Sequence, residues 1–322
     1  MHPKSTYKPI PFIKGKHLET IIPGVLRKQK KITPVKKEIK TPDGDFLELD
    51  WYKNGSTTLV ILSHGLEGSS DKAYIKGMAK IFLDNEIDAL AWNYRGCGSK
   101  MNDQPKLYHS GATYDLKTVV EHALEQSYEK IILIGFSLGG NITLKYVGEN
   151  GTNIPKQVIA SIAFSTPVDL DAGCTQISEP GNWMYSKRFI LKLKKKLRLK
   201  NKQFPDIFKL NGLDEINDIR TFDDIYTGPI HGYTGADDYY SRCSSIRFLK
   251  SITIPTLLVN AKNDPFLPEE CYPDELAAQN PNITFEAPAH GGHIGFMAIN
   301  RQGYYWSEKR AFEFATEVLR SH

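Results

Sequence analysis

The 322-residue sequence predicts an α/β fold, with a mostly parallel central sheet flanked by helices and interrupted by a helical insertion. Three observations carry this expectation. Short apolar runs rich in branched residues recur without polar alternation: Leu59–Leu62, Ala89–Trp92, Ile131–Ile134, Val158–Ile162 and Thr256–Val259. Strands buried on both faces of a sheet read this way. Segments of helical spacing, Ala73–Leu83 and Leu116–Leu124, lie between several of them. Residues 168–250 then break the rhythm, holding Trp183, Tyr185, Phe189, Tyr239 and Tyr240 but no buried-strand run.

In chain order, residues 1–37 are basic and irregular and read as an N-terminal arm. Glu38-Ile39-Lys40, the turn signal Pro42-Asp43-Gly44-Asp45 and the alternating Phe46–Trp51 then predict a β-hairpin. The core comprises residues 38–167 and 251–322, and residues 168–250 form a lid or cap between two strands. Ile283–Glu286 is a short alternating strand, and a last helix spans about 308–319. Within the insertion, Phe189, Ile190, Leu193 and Leu197 recur at helical spacing inside the basic stretch 187–198. This predicts a lid helix with a buried apolar face and a solvated charged face. The pattern also leaves peripheral contact with an anionic membrane open.

Composition narrows the function classes. Hydrophobic residues at 40% and charged residues at 24% sustain a packed core. A net charge of +4, from 41 basic and 37 acidic residues, is too small to demand a nucleic-acid partner. The short basic run Arg27–Lys31 reads as a solvated arm. Cys97, Cys174, Cys243 and Cys271 lie far apart with no CxxC pair, which points to free thiols in a reducing compartment, with the cytoplasm as default. No apolar h-region follows Met1, so no signal peptide is expected. No run of about 18 apolar residues predicts a membrane span. Nothing in the sequence calls for a cofactor or specifies an oligomeric state.

The most informative motif is Gly135-Phe136-Ser137-Leu138-Gly139, directly after an apolar run and before a helical pattern. Strand, sharp turn and helix make a nucleophile elbow, which lifts the Ser137 hydroxyl above the sheet. Ser63-His64-Gly65-Leu66-Glu67-Gly68 follows the run ending at Leu62. It occupies the place of the loop that lends one oxyanion donor, while the amide after the nucleophile lends the other. Leu66 and Leu138 are therefore the oxyanion-hole candidates, with His64 as scaffold.

An acid and then a histidine should follow the serine in that order. Asp264 lies in Asn263-Asp264-Pro265-Phe266, just past the run 256–259, at the carboxyl end of a predicted strand. His290 and His293 both follow the strand 283–286. His293, in a glycine-bounded loop, is the candidate base, and His290 a supporting residue. A metal site on these two histidines lacks an accompanying carboxylate motif. Arg95 reads as a loop residue tying backbone carbonyls together. Cys97 has no base placed for it.

With these motifs in hand, the chain resembles the YheT-like branch of the α/β-hydrolase superfamily, which includes embryogenesis-associated proteins and membrane-anchored phospholipases. The resemblance rests on Gly15-Lys16-His17-Leu18-Glu19-Thr20-Ile21-Ile22-Pro23, His64–Gly68, Asn93–Gly98, Tyr108–Gly111, Gly135–Asn141, His231-Gly232-Tyr233 with Asp238-Tyr239-Tyr240, Asn263–Phe266 and His290–Phe296. Two positions depart from it. Glu19 stands where glutamine is commoner, and Asn263 where an aspartate is expected. The resemblance implies an α/β-hydrolase fold and carboxylesterase activity on short- to medium-chain or lipid-like esters. The residues themselves imply a Ser137–His293–Asp264 triad and an acyl-enzyme. Acyl transfer to an alcohol uses the same triad and remains an alternative. A non-catalytic ligand-binding scaffold is disfavoured because all three residues are present in order.

Overall fold

The computed structural model of the chain describes residues 5–28, 30–298 and 303–322. Met1–Lys4, where a leader was sought, and Gln29 of the basic run lie outside them. Eight strands form one sheet: β1 (Val35–Lys40), β2 (Phe46–Tyr52), β3 (Thr58–Ser63), β4 (Asp88–Asn93), β5 (Lys130–Phe136), β6 (Val158–Phe164), β7 (Thr256–Val259) and β8 (Ile283–Glu286). Their order is β1-β2-β4-β3-β5-β6-β7-β8. The hairpin β1/β2 and the pair β2/β4 are antiparallel, and all later pairs are parallel.

β3 shows why these runs are strands. Leu59 and Ile61 enter one apolar layer, Val60 and Leu62 the other, and none of the four is exposed. The period of two sends successive side chains to opposite faces, so a strand covered on both sides needs apolar residues throughout. Helices α2 (Ala73–Leu83) and α11 (Trp306–Ser321) cover one face. On the other lie α3 (Thr113–Leu124), α4 (Leu138–Asn150) and α10 (Asp274–Gln279). Truncating a buried leucine of either layer to alanine belongs to the class costing about 2–5 kcal/mol.

Between β6 and β7 the described residues hold helices and no strand: α5 (Leu170–Ser178), α6 (Trp183–Gln203), α7 (Ile219–Phe222), α8 (Gly228–Ile230) and α9 (Ala236–Cys243). They enclose an apolar cluster of their own, including Leu170, Ile190, Leu197, Phe208, Phe222 and Tyr240. No helix among the described residues is long and apolar enough to cross a membrane.

Three expectations need correction. The arm is not irregular throughout, because Lys16–Leu26 form helix α1 and bury Glu19 and Pro23. In the sequence, Pro23 and the surrounding lysines hide its helical period. The charged face of α6 is only partly solvated, since Lys194, Lys196 and Lys200 are buried. Their ammonium groups find acceptors in the Asp214 carbonyl, the Glu67 carboxylate and the carbonyls of Asn102 and Gln104. A long aliphatic stem can be buried when its charged tip is satisfied. Arg95, finally, grips carboxylates and not carbonyls: Asp43, Asp45 and Asp115 converge on its guanidinium.

Candidate active site

The sheet order creates a crevice. The chain leaves β3 for β4 on one side, then crosses back to place β5 on the other side of β3. Loops leaving the carboxyl ends of β3 and β5 therefore diverge, and such switch points are where open α/β sheets bind ligands. Leu66 lies in the loop after β3, Ser137 directly after β5, Asp264 after β7 and His293 after β8.

Ser137 has φ 55° and ψ −122°, a conformation costly for a residue with a Cβ. The turn is held at both ends. The Ser137 amide donates to the Phe164 carbonyl at 2.9 Å, and its carbonyl accepts from Asn141 N–H at 3.1 Å. Glycines relieve the crowding around it. A Cβ on Gly139 would stand 2.3 Å from the Ser63 carbonyl oxygen, and one on Gly65 3.2 Å from the Ser137 Cβ. The loop after β3 thus presses against the serine.

The three candidate side chains meet. His293 Nδ1 lies 2.8 Å from Asp264 Oδ2, and His293 Nε2 lies 3.0 Å from Ser137 Oγ. Asp264 is buried, and its Oδ1 accepts the Phe266 amide at 2.9 Å. A carboxylate that accepts the Nδ1 proton leaves Nε2 as an acceptor for the Ser137 hydroxyl. The Phe266 ring packs over the imidazole at 4.3 Å between centroids.

The two candidate oxyanion amides border the same cavity as Ser137. The flanking amides are engaged: Gly65 N–H donates to the Tyr74 hydroxyl and Glu67 N–H to the Tyr108 hydroxyl. Among the described residues the Leu66 amide between them has no acceptor. Leu138 opens α4, where the first amides have no partner within the helix and the helix dipole is positive. His64 is fully buried beside this loop. Its Nδ1 is 2.8 Å from the Gly65 carbonyl, and burial pushes its pKa down to about 3, so it stays neutral and acts as scaffold.

The loop carrying His293 is anchored by residues that the sequence did not single out as functional. Glu19 accepts from the Gly15 amide and from His290 Nδ1 through one oxygen, and from the Gly291 amide through the other. Thr20 Oγ1 accepts the His293 amide at 2.9 Å, and Ser165 Oγ accepts the Ile294 amide at 2.9 Å. His290 therefore pairs with Glu19, not with Ser137. Asn263 Oδ1 accepts the Gly292 amide at 3.0 Å. The available signal was the run Gly15–Pro23, whose position in space no motif specifies. Glu19→Ala strands the buried Gly291 amide and takes the partner from the half-buried His290, and should cost about 1–3 kcal/mol. It should also lower kcat by roughly tenfold to a hundredfold through a displaced His293. Glu19→Gln should lose much less. Urea unfolding with esterase kinetics on both variants checks this, and an alanine variant indistinguishable from wild type would refute the anchoring role.

An inner cavity of about 120 Å³ extends from Ser137 beneath α5, α6 and α7. Leu170, Ile177, Phe189, Leu193 and Ile219 give it an apolar wall. His109, Ser110 and Thr227 add polar atoms, and Asp223 is the one carboxyl among the lining residues. Burial pushes its carboxyl up to about 6, although the Tyr240 hydroxyl donates to it at 2.8 Å. In the folded chain Asp223 keeps its proton to about pH 6, whereas the unfolded chain releases it near 3.8. Between those values the folded state binds more protons, so this group's contribution falls as pH rises and is lost above about pH 6. A shift of about two units corresponds to roughly 3 kcal/mol. Between about pH 4.5 and about pH 7.5, urea unfolding should show wild type losing about 2 kcal/mol more than Asp223→Asn, in which the buried Asp115 still titrates.

An elbow serine, a histidine and a carboxylate in one hydrogen-bonded chain, set at the switch point of this sheet, define a hydrolase architecture. Residues 58–298 match the family model described as alpha/beta hydrolase fold. YheT of Escherichia coli (strain K12) is 32% identical over 314 residues, covering 94% of this chain and 91% of that protein. The phospholipase ABHD3 of Mus musculus is 31% identical over 271 residues, and the match spans 80% of this chain and 65% of the mouse protein. Among solved structures, the Pyrococcus furiosus esterase Pf2001 superposes with a TM-score of 0.60 at 18% identity, covering 99% of this chain and 97% of that one. The chain belongs to the α/β-hydrolase family, in its YheT-like branch.

Proposed function

We propose that this carboxylic-ester hydrolase works through Ser137, His293 and Asp264 and a covalent acyl-enzyme. The observation that carries the reading is the continuous path Asp264–His293–Ser137, with contacts of 2.8 and 3.0 Å, opening onto an apolar cavity. His293 Nε2 takes the hydroxyl proton as Ser137 Oγ attacks the acyl carbon. The Leu66 and Leu138 amides hold the resulting oxyanion. The imidazolium, steadied by Asp264, returns the proton to the departing alcohol. Water, deprotonated by His293, then releases the carboxylic acid and restores the serine. Residues 168–250 act as the cap over this site, and no cofactor enters the cycle.

The substrate class is a short- to medium-chain or lipid-like ester. The small apolar cavity supports this, as does the mouse relative named as a phospholipase. A lipid surface is a second partner. Ile21 and Val25 of α1 line the outer mouth of the site with Arg188, and Leu18, Trp183 and Met184 on the same two helices are also exposed. Four free thiols favour a cytoplasmic setting.

p-Nitrophenyl esters from acetyl to palmitoyl test the assignment. Hydrolysis should peak at short to medium chains, and a fluorophosphonate should label Ser137. If no ester is cleaved and the probe leaves Ser137 unlabelled, the reading falls. Anionic liposomes should sediment the protein at low salt, and failure to do so removes the surface contact.

A further inference from the structure

The cavity at Ser137 continues outward into a second chamber of about 430 Å³. Leu66, Ser137, Phe189, Phe266 and His293 line both spaces, so the reacting atoms stand at the partition. The two chambers differ in chemistry. The inner wall is mainly apolar and suits an acyl chain. The outer wall gathers Arg27 just past α1, Lys72 at the start of α2, and Arg188 and Lys192 of α6. Cations from three separate elements thus face one space.

On the wall itself opposing charge is small, although Glu308 lies near Arg27 and Lys192 Nζ donates to the Glu67 carbonyl at 3.0 Å. Among the described residues the one carboxylate on this wall is Glu67, whose Oε1 is engaged by Lys196 at 2.6 Å. Lys192 is half-buried, and burial, with Lys72 nearby, lowers its pKa. Arg27 Nε and Nη2 are buried without an acceptor among the described residues. Like charges gathered in a cleft with low-dielectric walls raise a positive potential there, which a bound anion relieves.

We propose that this outer chamber binds an anionic group, phosphate or carboxylate, on the alcohol side of the scissile ester. The preferred substrate is then an acyl ester of an anionic alcohol, its acyl chain inward and its charge between α2 and α6. Arginine forks pair with either anion through two parallel hydrogen bonds. The proposal rests on Ser137 hydrolysing esters as proposed above.

Octanoyl esters of glycerol, of glycerol 3-phosphate and of glyceric acid test it on the full chain, because only the alcohol side differs. At low salt, kcat/KM for at least one anionic ester should exceed that of the neutral ester by about tenfold, with the preference shrinking as salt rises. In the double variant Lys72→Met/Arg188→Met the anionic-to-neutral ratio should fall about fivefold or more. Taking the ratio within one variant cancels any general loss of activity. Preference for only the phosphate or only the carboxylate ester supports the proposal and identifies the anion. A neutral ester cleaved as well as both anionic ones, or a ratio unmoved by the double variant, overturns it. No cleavage of any of the three, with Ser137 unlabelled by a fluorophosphonate, overturns the triad reading and this proposal with it.

Discussion

Ser137→Ala should lower kcat for ester hydrolysis by roughly a millionfold while the folded structure persists. In the proposed triad the hydroxyl attacks the acyl carbon, with His293 Nε2 3.0 Å away as its base. His293→Ala should cost about as much, because without Nε2 the serine keeps its proton. Asp264→Asn should cost about ten-thousandfold, since an amide does not hold the imidazole in the required tautomer. Combining the changes should add little, as the three groups act as one unit. Residual hydrolysis would then come from the oxyanion amides and substrate binding. Single-turnover kinetics on each variant, with circular dichroism to show an intact fold, measures this. A Ser137→Ala loss of under about a hundredfold would point to another nucleophile.

Arg95→Met should be the most destabilising change outside the site, at about 3–5 kcal/mol. Arg95 is buried, with Nε and Nη2 on Asp115 at 3.0 and 2.7 Å and Nη1 on Asp43 and Asp45 at 2.7 and 3.2 Å. Asp45 and Asp115 are themselves buried. Removing the guanidinium leaves their charges uncompensated, which costs far more than the net worth of the pairing. Burial already lifts the Asp115 carboxyl to about 6 in the intact cluster. The variant should therefore recover part of its loss near pH 5, where Asp115 takes up a proton. The damage should reach the site as well. Tyr108, between Arg95 and Asp115 in the chain, donates its hydroxyl proton to Glu67 and accepts the Glu67 amide, beside Leu66. Urea unfolding at about pH 5 and about pH 7.5 is the measurement, and a cost below about 1 kcal/mol at the higher pH would show that water reaches the freed carboxylates.

The strands were legible for a simple physical reason. Runs such as Leu59–Leu62 lie between two covered faces, so nearly every position must be apolar, and the sequence records this directly. Ser137, Asp264 and His293 could be nominated because the elbow and chain order constrain them, and the structure brings their side chains within hydrogen-bond reach. Glu19 was not, because its work is a contact across 271 positions to His290, and no local pattern encodes that distance. The lysines of α6 looked solvated for the same reason. A sequence displays the charge of Lys196, while the acceptors that let it be buried, Glu67 and Cys97, lie 129 and 99 positions away.

The anchoring of the His293 loop on α1 also bears on how the enzyme comes into being. Glu19 is made 272 residues before Gly291, and Thr20 273 residues before His293. While the next 156 residues are made, Ser137 is present without its proposed base. Domains fold as the chain grows, but this closure must wait for both ends. With the proposed triad, a nascent chain therefore stays chemically silent until the His293 loop has emerged and docked on α1.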